Sequence, residues 1–274
     1  MTTRTLGIIA GGGQLPVIAA RGARRQGFRV VVSAIAETRS TFPKKGAARL
    51  EFVSLGRPGQ TLSFFREEGV TDVVFAGKVD KSLNFANLDF DDVAMAMIAR
   101  LPGRADMNIA AVLIDELTSR GFHVRAQTDF LAELVAPAGR IAGPEDGAPE
   151  REKRIGLEVA SALAAHDVGQ TVVLRDGAVI ALEAFEHTDA TIKRAARLAG
   201  GDLVVVKMAR PRQDLRFDVP AVGPQTVKLL SAAGAKALYV EAGKTLLIDR
   251  RKLEKLANTA GLMIEGVERP ASVE

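Results

Sequence analysis

The sequence predicts an α/β protein of two domains: a parallel sheet with helices on its faces, then a region that mixes hairpins with helices. Three observations carry that expectation. β-branched runs alternate with amphipathic segments through the first half, the pattern of parallel strands joined by crossover helices. Three consecutive glycines, Gly11, Gly12 and Gly13, separate the first such run from the first amphipathic segment. In the second half Asp176 and Gly177 sit between two β-prone runs, a hairpin signal because the tightest turn needs positive φ at both central residues.

In chain order, RTLGIIA reads as a buried strand, Leu15–Gln26 as a helix ending before Gly27, and Phe28–Ile35 as a second strand. Arg49–Val53 is a short third strand, Thr61–Glu68 a helix, and TDVVFAG a strand closed by Gly77. Helices are expected over Asp91–Arg100 and Asn108–Arg120, then a strand in GFHVRA. APAGRIAGPEDGAPE is rich in proline and glycine without apolar period, so it reads as an interdomain linker. That gives domains over 1–136 and 151–274 with a linker at 137–150. The second domain opens with helix Arg151–Ala165 and the hairpin QTVVLRDGAVIALEA. Helix Ala190–Leu198, strand DLVVVKM and helix Gln225–Ala233 follow. A second hairpin is expected over ALYVEAGKTLLID, then helix Arg250–Ala260 and a strand near Met263–Val267.

Composition bounds the function. At 274 residues and 47% apolar, the chain can bury a substantial core. It has no run of the ~18 apolar residues a membrane span needs, and its opening reads without a signal peptide. No cysteine is present, which excludes disulfides, thiolate catalysis and cysteine-ligated metal and fits a cytoplasmic protein. The net charge of +4 suits a polyanionic ligand or an anionic membrane surface. Nucleic acid is not expected, because the basic residues are dispersed, tryptophan is absent and Tyr239 is the only tyrosine.

Backbone amides of a glycine turn, followed by a helix N-terminus, make a site for an anion. Gly11, Gly12 and Gly13 with Gln14, Leu15 and Pro16 have that form. The dinucleotide fingerprint requires a third glycine, and Pro16 stands there. Proline suits the first helical turn but not close helix–strand packing. Glu37, the acid available to a ribose, lies beyond the usual interval. The loop therefore reads as a site for some other phosphate-bearing ligand; the resemblance given below implies that it faces an anionic nucleotide-sugar or lines a cleft between domains. A ligand-free tight turn and an NAD(P)-dependent oxidoreductase are the alternatives.

Two stretches concentrate ionisable groups where strands end. In ALEAFEHTDATIKRA, Glu183 ends a strand, and Glu186, His187, Thr188 and Asp189 fill the turn into the next helix. Helix capping by Thr188 or Asp189 is the plainer reading. In VVVKMARPRQDLRFDVPAVG, Lys207 ends a strand, and Arg210, Arg212, Gln213, Asp214, Arg216 and Asp218 follow. A solvated charged loop is the plainer reading there. The mix of carboxylates with arginines and a lysine suits Mg²⁺ and phosphate oxygens together. His123 and His166 read as structural.

The segments GIIAGGGQLP, DVVFAGKV, HDVGQTVVLRDGAVIALEAFEHTDATIKRA, VVVKMARPRQDLRFDVPAVG and YVEAGKTLLIDR together resemble the UDP-2,3-diacylglucosamine pyrophosphatases of lipid A biosynthesis, the type that is not calcineurin-like. The resemblance implies a Rossmann-like N-terminal domain and a distinct catalytic C-terminal domain with a mixed sheet. It implies a Mg²⁺-dependent hydrolase that yields UMP and 2,3-diacylglucosamine 1-phosphate, cytoplasmic and peripheral at the anionic inner-membrane surface, with a homodimer as a further expectation. A sensor that binds nucleotide-sugar without turnover is the rival. Asp218 matches the family's essential aspartate. The implied catalytic residues are Asp218, Asp214 and Asp189, and the implied metal ligands are Asp218 and Glu183. Substrate contacts are expected from Gly11, Gly12, Gly13, Gln14, Leu15, Pro16, Gly77, Lys78, Glu186, Thr188, Lys207, Gln213 and Arg216. Two departures stand out. His187 replaces a glycine usual in relatives, and GRADMN replaces a run with two aspartates, leaving only Asp106 to align.

Overall fold

The computed structural model describes residues 4–38, 42–79, 88–101, 106–211, 213–217 and 219–270; of 106–108 it describes the backbone alone. Arg212 and Asp218 lie outside the described residues. The chain forms two units, Met1–Ala132 with Leu215–Phe217, and Glu133–Asp214 with Asp218–Glu274. Among the described residues no helix is long and apolar enough to cross a membrane.

The first unit runs β1 (Thr5–Ala10), α1 (Leu15–Arg25), β2 (Arg29–Ile35), β3 (Arg49–Val53), α2 (Pro58–Glu67), β4 (Asp72–Ala76), α3 (Asp92–Ala99), α4 (Asp106–Ser119) and β5 (His123–Val124). Its strands form one parallel sheet in the order β3-β2-β1-β4-β5. The central strands are apolar without alternation because helices cover both faces. Val31, Phe65, Val73, Leu117 and Phe122 share one core cluster. The strand order reverses between β1 and β4, the switch point where open α/β sheets take their ligands. At the opposite edge, buried Asp72 at the head of β4 accepts from Arg4 at 3.0 Å, Arg125 at 3.0 Å and Thr71 at 2.8 Å. Within α1, Gly22 lets the helix approach the segment after β5: a Cβ there would fall 2.0 Å from the Phe130 carbonyl oxygen.

The second unit contains β6 (Gly139–Ala142), α5 (Glu150–Ala165), β7 (Thr171–Arg175), β8 (Ala178–Leu182), α6 (His187–Ala199), β9 (Leu203–Lys207), β10 (Ala221–Val222), α7 (Pro224–Ala232), β11 (Ala235–Glu241), β12 (Leu246–Leu247), α8 (Arg250–Ala260) and β13 (Met263–Val267). Its six-stranded sheet has the order β6-β13-β11-β9-β7-β8. The three central strands are parallel, and β6, β7 and β8 are antiparallel to their neighbours. Strand alternation sends Val172, Leu174, Val204 and Val206 into one core and Val173 and Val205 into another. The expected β7–β8 hairpin forms, with Asp176 at φ 50° and Gly177 at φ 76°.

Three expectations change. Gly139–Ala142, inside the stretch read as a linker, pairs with β13 as an edge strand. ALYVEAGKTLLID is not a hairpin: β9 and β13 occupy both sides of β11, and β12 pairs with β10 instead. Helix α6 starts at His187, so Thr188 and Asp189 belong to its first turn rather than to the turn before it.

Candidate functional site

At the switch point of the first unit, the loops after β1 and β4 are joined backbone to backbone. Gly11 N–H donates to the Ala76 carbonyl at 2.8 Å, Gly12 N–H to the Lys78 carbonyl at 2.8 Å, and Lys78 N–H to the Gly12 carbonyl at 3.1 Å. Side chains cannot fit this crossing. A Cβ on Gly11 would lie 2.6 Å from the Lys78 carbonyl oxygen, and one on Gly77, which is at φ 94°, 2.6 Å from the Gly12 carbonyl oxygen. Gly13, at φ 89°, and Gln14 are exposed, as is Lys78. Leu15 is half-buried, and Pro16 is buried within the first turn of α1. No side chain caps α1. The Gly11 and Gly12 amides are spent on the crossing; exposed Gly13, an uncapped helix start and an adjacent lysine are what remain to cradle an anion. Glu37 takes no part in it. Its carboxylate accepts from the Ser54 hydroxyl at 2.5 Å and the Leu55 amide at 3.0 Å. Burial alone would push its pKa up, yet these two bonds hold it below the usual carboxylate value. An acid committed in this way does not suit the ribose of a dinucleotide.

In the second unit, the carboxyl end of β8 meets the start of α6 and the end of β9. Glu183 is 8% exposed, and its amide donates to the Thr171 carbonyl at 2.8 Å. Its carboxylate accepts from the Thr188 hydroxyl at 3.1 Å and the Gln170 amide at 3.3 Å. Lys207 Nζ donates to the Thr188 hydroxyl oxygen at 2.9 Å, and the Thr171 hydroxyl lies 3.2 Å from that of Thr188. Thr188 thus spends its hydroxyl joining a carboxylate to an ammonium, and no side chain caps α6. Capping, the plainer reading, does not hold. The side-chain oxygen of Gln170 is buried with no hydrogen-bond partner among the described residues.

The turn into α6 is braced. Glu186 accepts from Arg194 at 2.5 Å and from the Ala184 amide at 3.2 Å. Its own backbone amide, and then the Arg194 guanidinium, hold its carboxyl below the ordinary value. His187 stands at φ 66°, a left-handed conformation that glycine adopts without cost. The glycine expected there from resemblance has a backbone reason. Asp189 is exposed on the first turn of α6.

Sequence reasoning therefore singled out groups that the structure brings together twice: Gly11, Gly12, Gly77 and Lys78 in the first unit, and Glu183, Thr188 and Lys207 in the second. Gln213 accepts from the Arg210 amide at 3.1 Å, and Asp214 is half-buried nearby in the chain. Arg216 lies in Leu215–Phe217, which packs with the first unit. There buried Gln127 donates through its amide to the Leu215 carbonyl at 2.8 Å and through its side chain to the Phe217 carbonyl at 3.0 Å. Gln170, Thr171 and Gln127 were missed. The available signal was a polar residue heading a strongly apolar strand, as Gln170 and Thr171 head β7. Among the described residues no three His, Cys, Asp or Glu side chains gather to hold a metal.

Comparison with known proteins matches the LpxI N-terminal domain over residues 5–134 and the LpxI C-terminal domain over residues 137–265. A UDP-2,3-diacylglucosamine pyrophosphatase LpxI of Caulobacter vibrioides is 32% identical over 285 residues, spanning 97% of this chain and 100% of the relative. Among solved structures, precorrin-6A reductase CobK is 13% identical with a TM-score of 0.28, over 98% of this chain and 89% of that one. An N5-carboxyaminoimidazole ribonucleotide synthetase bound to ADP is 15% identical with a TM-score of 0.27, over 80% and 48%. Likeness at those scores carries no inference.

Proposed function

The chain belongs to the LpxI family, and on that premise we propose that it hydrolyses the pyrophosphate bond of UDP-2,3-diacylglucosamine, giving UMP and 2,3-diacylglucosamine 1-phosphate. The observation that carries the reading is the Glu183–Thr188–Lys207 cluster at an uncapped helix start. A carboxylate and a cation bridged by one hydroxyl suit a reaction in which charge on phosphate must be neutralised while water is oriented. In the proposed step, water oxygen bonds to the β-phosphorus and the bridging phosphorus–oxygen bond breaks, its electron pair leaving with UMP. Lys207 and the first-turn amides of α6 hold phosphate oxygens. Glu183 orients water or metal. Asp218, Asp214 and Asp189 are the remaining carboxylates assigned to the reaction, and Gln213, Arg216 and the glycine-loop residues are assigned to substrate.

Mg²⁺ is part of this proposal, with Glu183 and Asp218 as its ligands. The donor chemistry fits. Each Glu183 oxygen accepts one hydrogen bond, and a carboxylate offers about four acceptor positions. The orphaned Gln170 oxygen adds a hard donor of the type Mg²⁺ takes. When bound, the ion supplies Lewis-acid neutralisation of pyrophosphate charge. The diacyl product and substrate put the work at a membrane surface.

The test is incubation of purified protein with UDP-2,3-diacylglucosamine and Mg²⁺, following UMP. Activity is expected to vanish in EDTA and return with Mg²⁺, and Asp218→Ala is expected to lower kcat by ~10² or more. Calorimetric Mg²⁺ titration of wild type and Glu183→Gln reads the ligand assignment without turnover. Binding without UMP release would leave a nucleotide-sugar sensor; full turnover in metal-free protein would remove the ion.

A further inference from the structure

We propose that Phe185 and His187 form a stacking platform for the pyrimidine base of the nucleotide substrate, an inference that rests on the pyrophosphatase reading above. Phe185 is 97% exposed. Phenylalanine is a side chain that folding normally buries, whereas exposed Ala184 beside it carries only a methyl group. The Phe185 ring stacks on His187, with centroids 6.4 Å apart and planes at 29°. The turn beneath is fixed by the Glu186–Arg194 pair, by the Ala184 amide to Glu186, and by Thr191, whose hydroxyl donates to the His187 carbonyl at 3.0 Å. His187 reaches the stack from a left-handed backbone at φ 66°. Non-glycine residues in such conformations collect at functional sites because the surrounding structure must hold them there.

Position selects the ligand. The platform adjoins Thr188 in sequence, and Thr188 bridges Glu183 and Lys207. An aromatic pair beside a cation, hydroxyls and an uncapped helix start presents a flat surface next to anion receptors, the two needs of a nucleotide. Base stacking on an aromatic ring tolerates any base, because every base has a π-face. An acyl chain or bilayer fits less well, because the partly exposed Glu186–Arg194 ion pair of the same turn would have to leave water.

The experiment compares UMP with ribose 5-phosphate as ligands of the full chain, with melting temperature as the control for folding. Phe185→Ala is expected to weaken UMP by about tenfold, to leave ribose 5-phosphate within a factor of two, and to keep the melting temperature. Phe185→Tyr is expected to restore UMP binding. Equal loss for both ligands, or none for UMP while wild type still turns over the UDP-lipid, overturns the platform and spares the hydrolase reading. Loss of binding to anionic phospholipid vesicles with unchanged UMP affinity also overturns it and marks Phe185 as a lipid contact. A wild type that neither binds UMP nor releases it from the UDP-lipid takes both readings down.

Discussion

At the scale of single residues, His187 shows how backbone and side chain can want different things. An L-residue in the left-handed region costs about 1–2 kcal/mol, and histidine tolerates the region better than most residues. Glycine would remove that strain but lose about 0.5–1 kcal/mol through a freer unfolded chain. The two nearly cancel. His187→Gly is therefore expected to change stability by at most about 1 kcal/mol, in the stabilising direction. His187→Val, β-branched at φ 66°, is expected to lose more than about 1 kcal/mol. Urea unfolding of the two variants checks the sign. A valine variant as stable as the glycine one would show that the turn relaxes out of the left-handed region.

At the scale of elements, the sequence was informative wherever a strand's side chains set its fate. β1, β2, β4, β7 and β9 announce themselves through β-branched runs, and the Asp176–Gly177 turn through its conformational demand. β6 does not, because Gly139–Ala142 is a strand only through pairing with the distant β13. The misread second hairpin has the same origin. β11 is central, so nothing in its own residues tells that both edges are taken. The candidate site divides in the same way. Charged and glycine positions stand out in sequence, whereas the Thr171–Thr188 contact joins residues whose nearness depends on strand register. The crossing of the β1 and β4 loops yields a graded prediction. Gly11→Ala sets a methyl 2.6 Å from a backbone oxygen that is itself held in a bridge, and overpacking of this kind costs about 1–3 kcal/mol. Gly13→Ala meets no atom within 4 Å but keeps φ at 89°, so about 1 kcal/mol is expected. Denaturant midpoints should fall in that order. Equal losses would mean that the crossing opens freely.

At the scale of the whole molecule, most of the carboxyls held below their ordinary values lie in the first unit: Glu37, Asp72 and Glu116 there, against Glu186 in the second. For Asp72 burial works the other way, and Thr71, Arg125 and Arg4 outweigh it. Glu116 likewise overcomes burial through Arg120 and Arg100. A carboxyl whose folded pKa lies below its unfolded one binds fewer protons when folded. Its stabilisation is present above the unfolded value of about 4 and is lost as pH falls through the folded value. The first unit is therefore expected to weaken steeply below about pH 4. Asp72→Asn tests the largest buried member. It takes the carboxylate from Arg4 and from Arg125, which keeps its ion pair with Asp129 at 2.8 Å; the two arginines are 63% and 31% exposed, so water limits the cost at pH 7 to about 1–3 kcal/mol. The variant and the wild type should converge as pH falls through the lowered folded value of Asp72, because the wild-type carboxyl is then protonated. Hydrogen exchange of the β1 and β4 amides follows this unit, while fluorescence of Tyr239, the chain's only tyrosine and part of the second unit, is the internal reference. Parallel acid limbs for wild type and Asp72→Asn would show that Asp72 titrates alike in the folded and unfolded chain, and the acid sensitivity would then pass to Glu37 and Glu116.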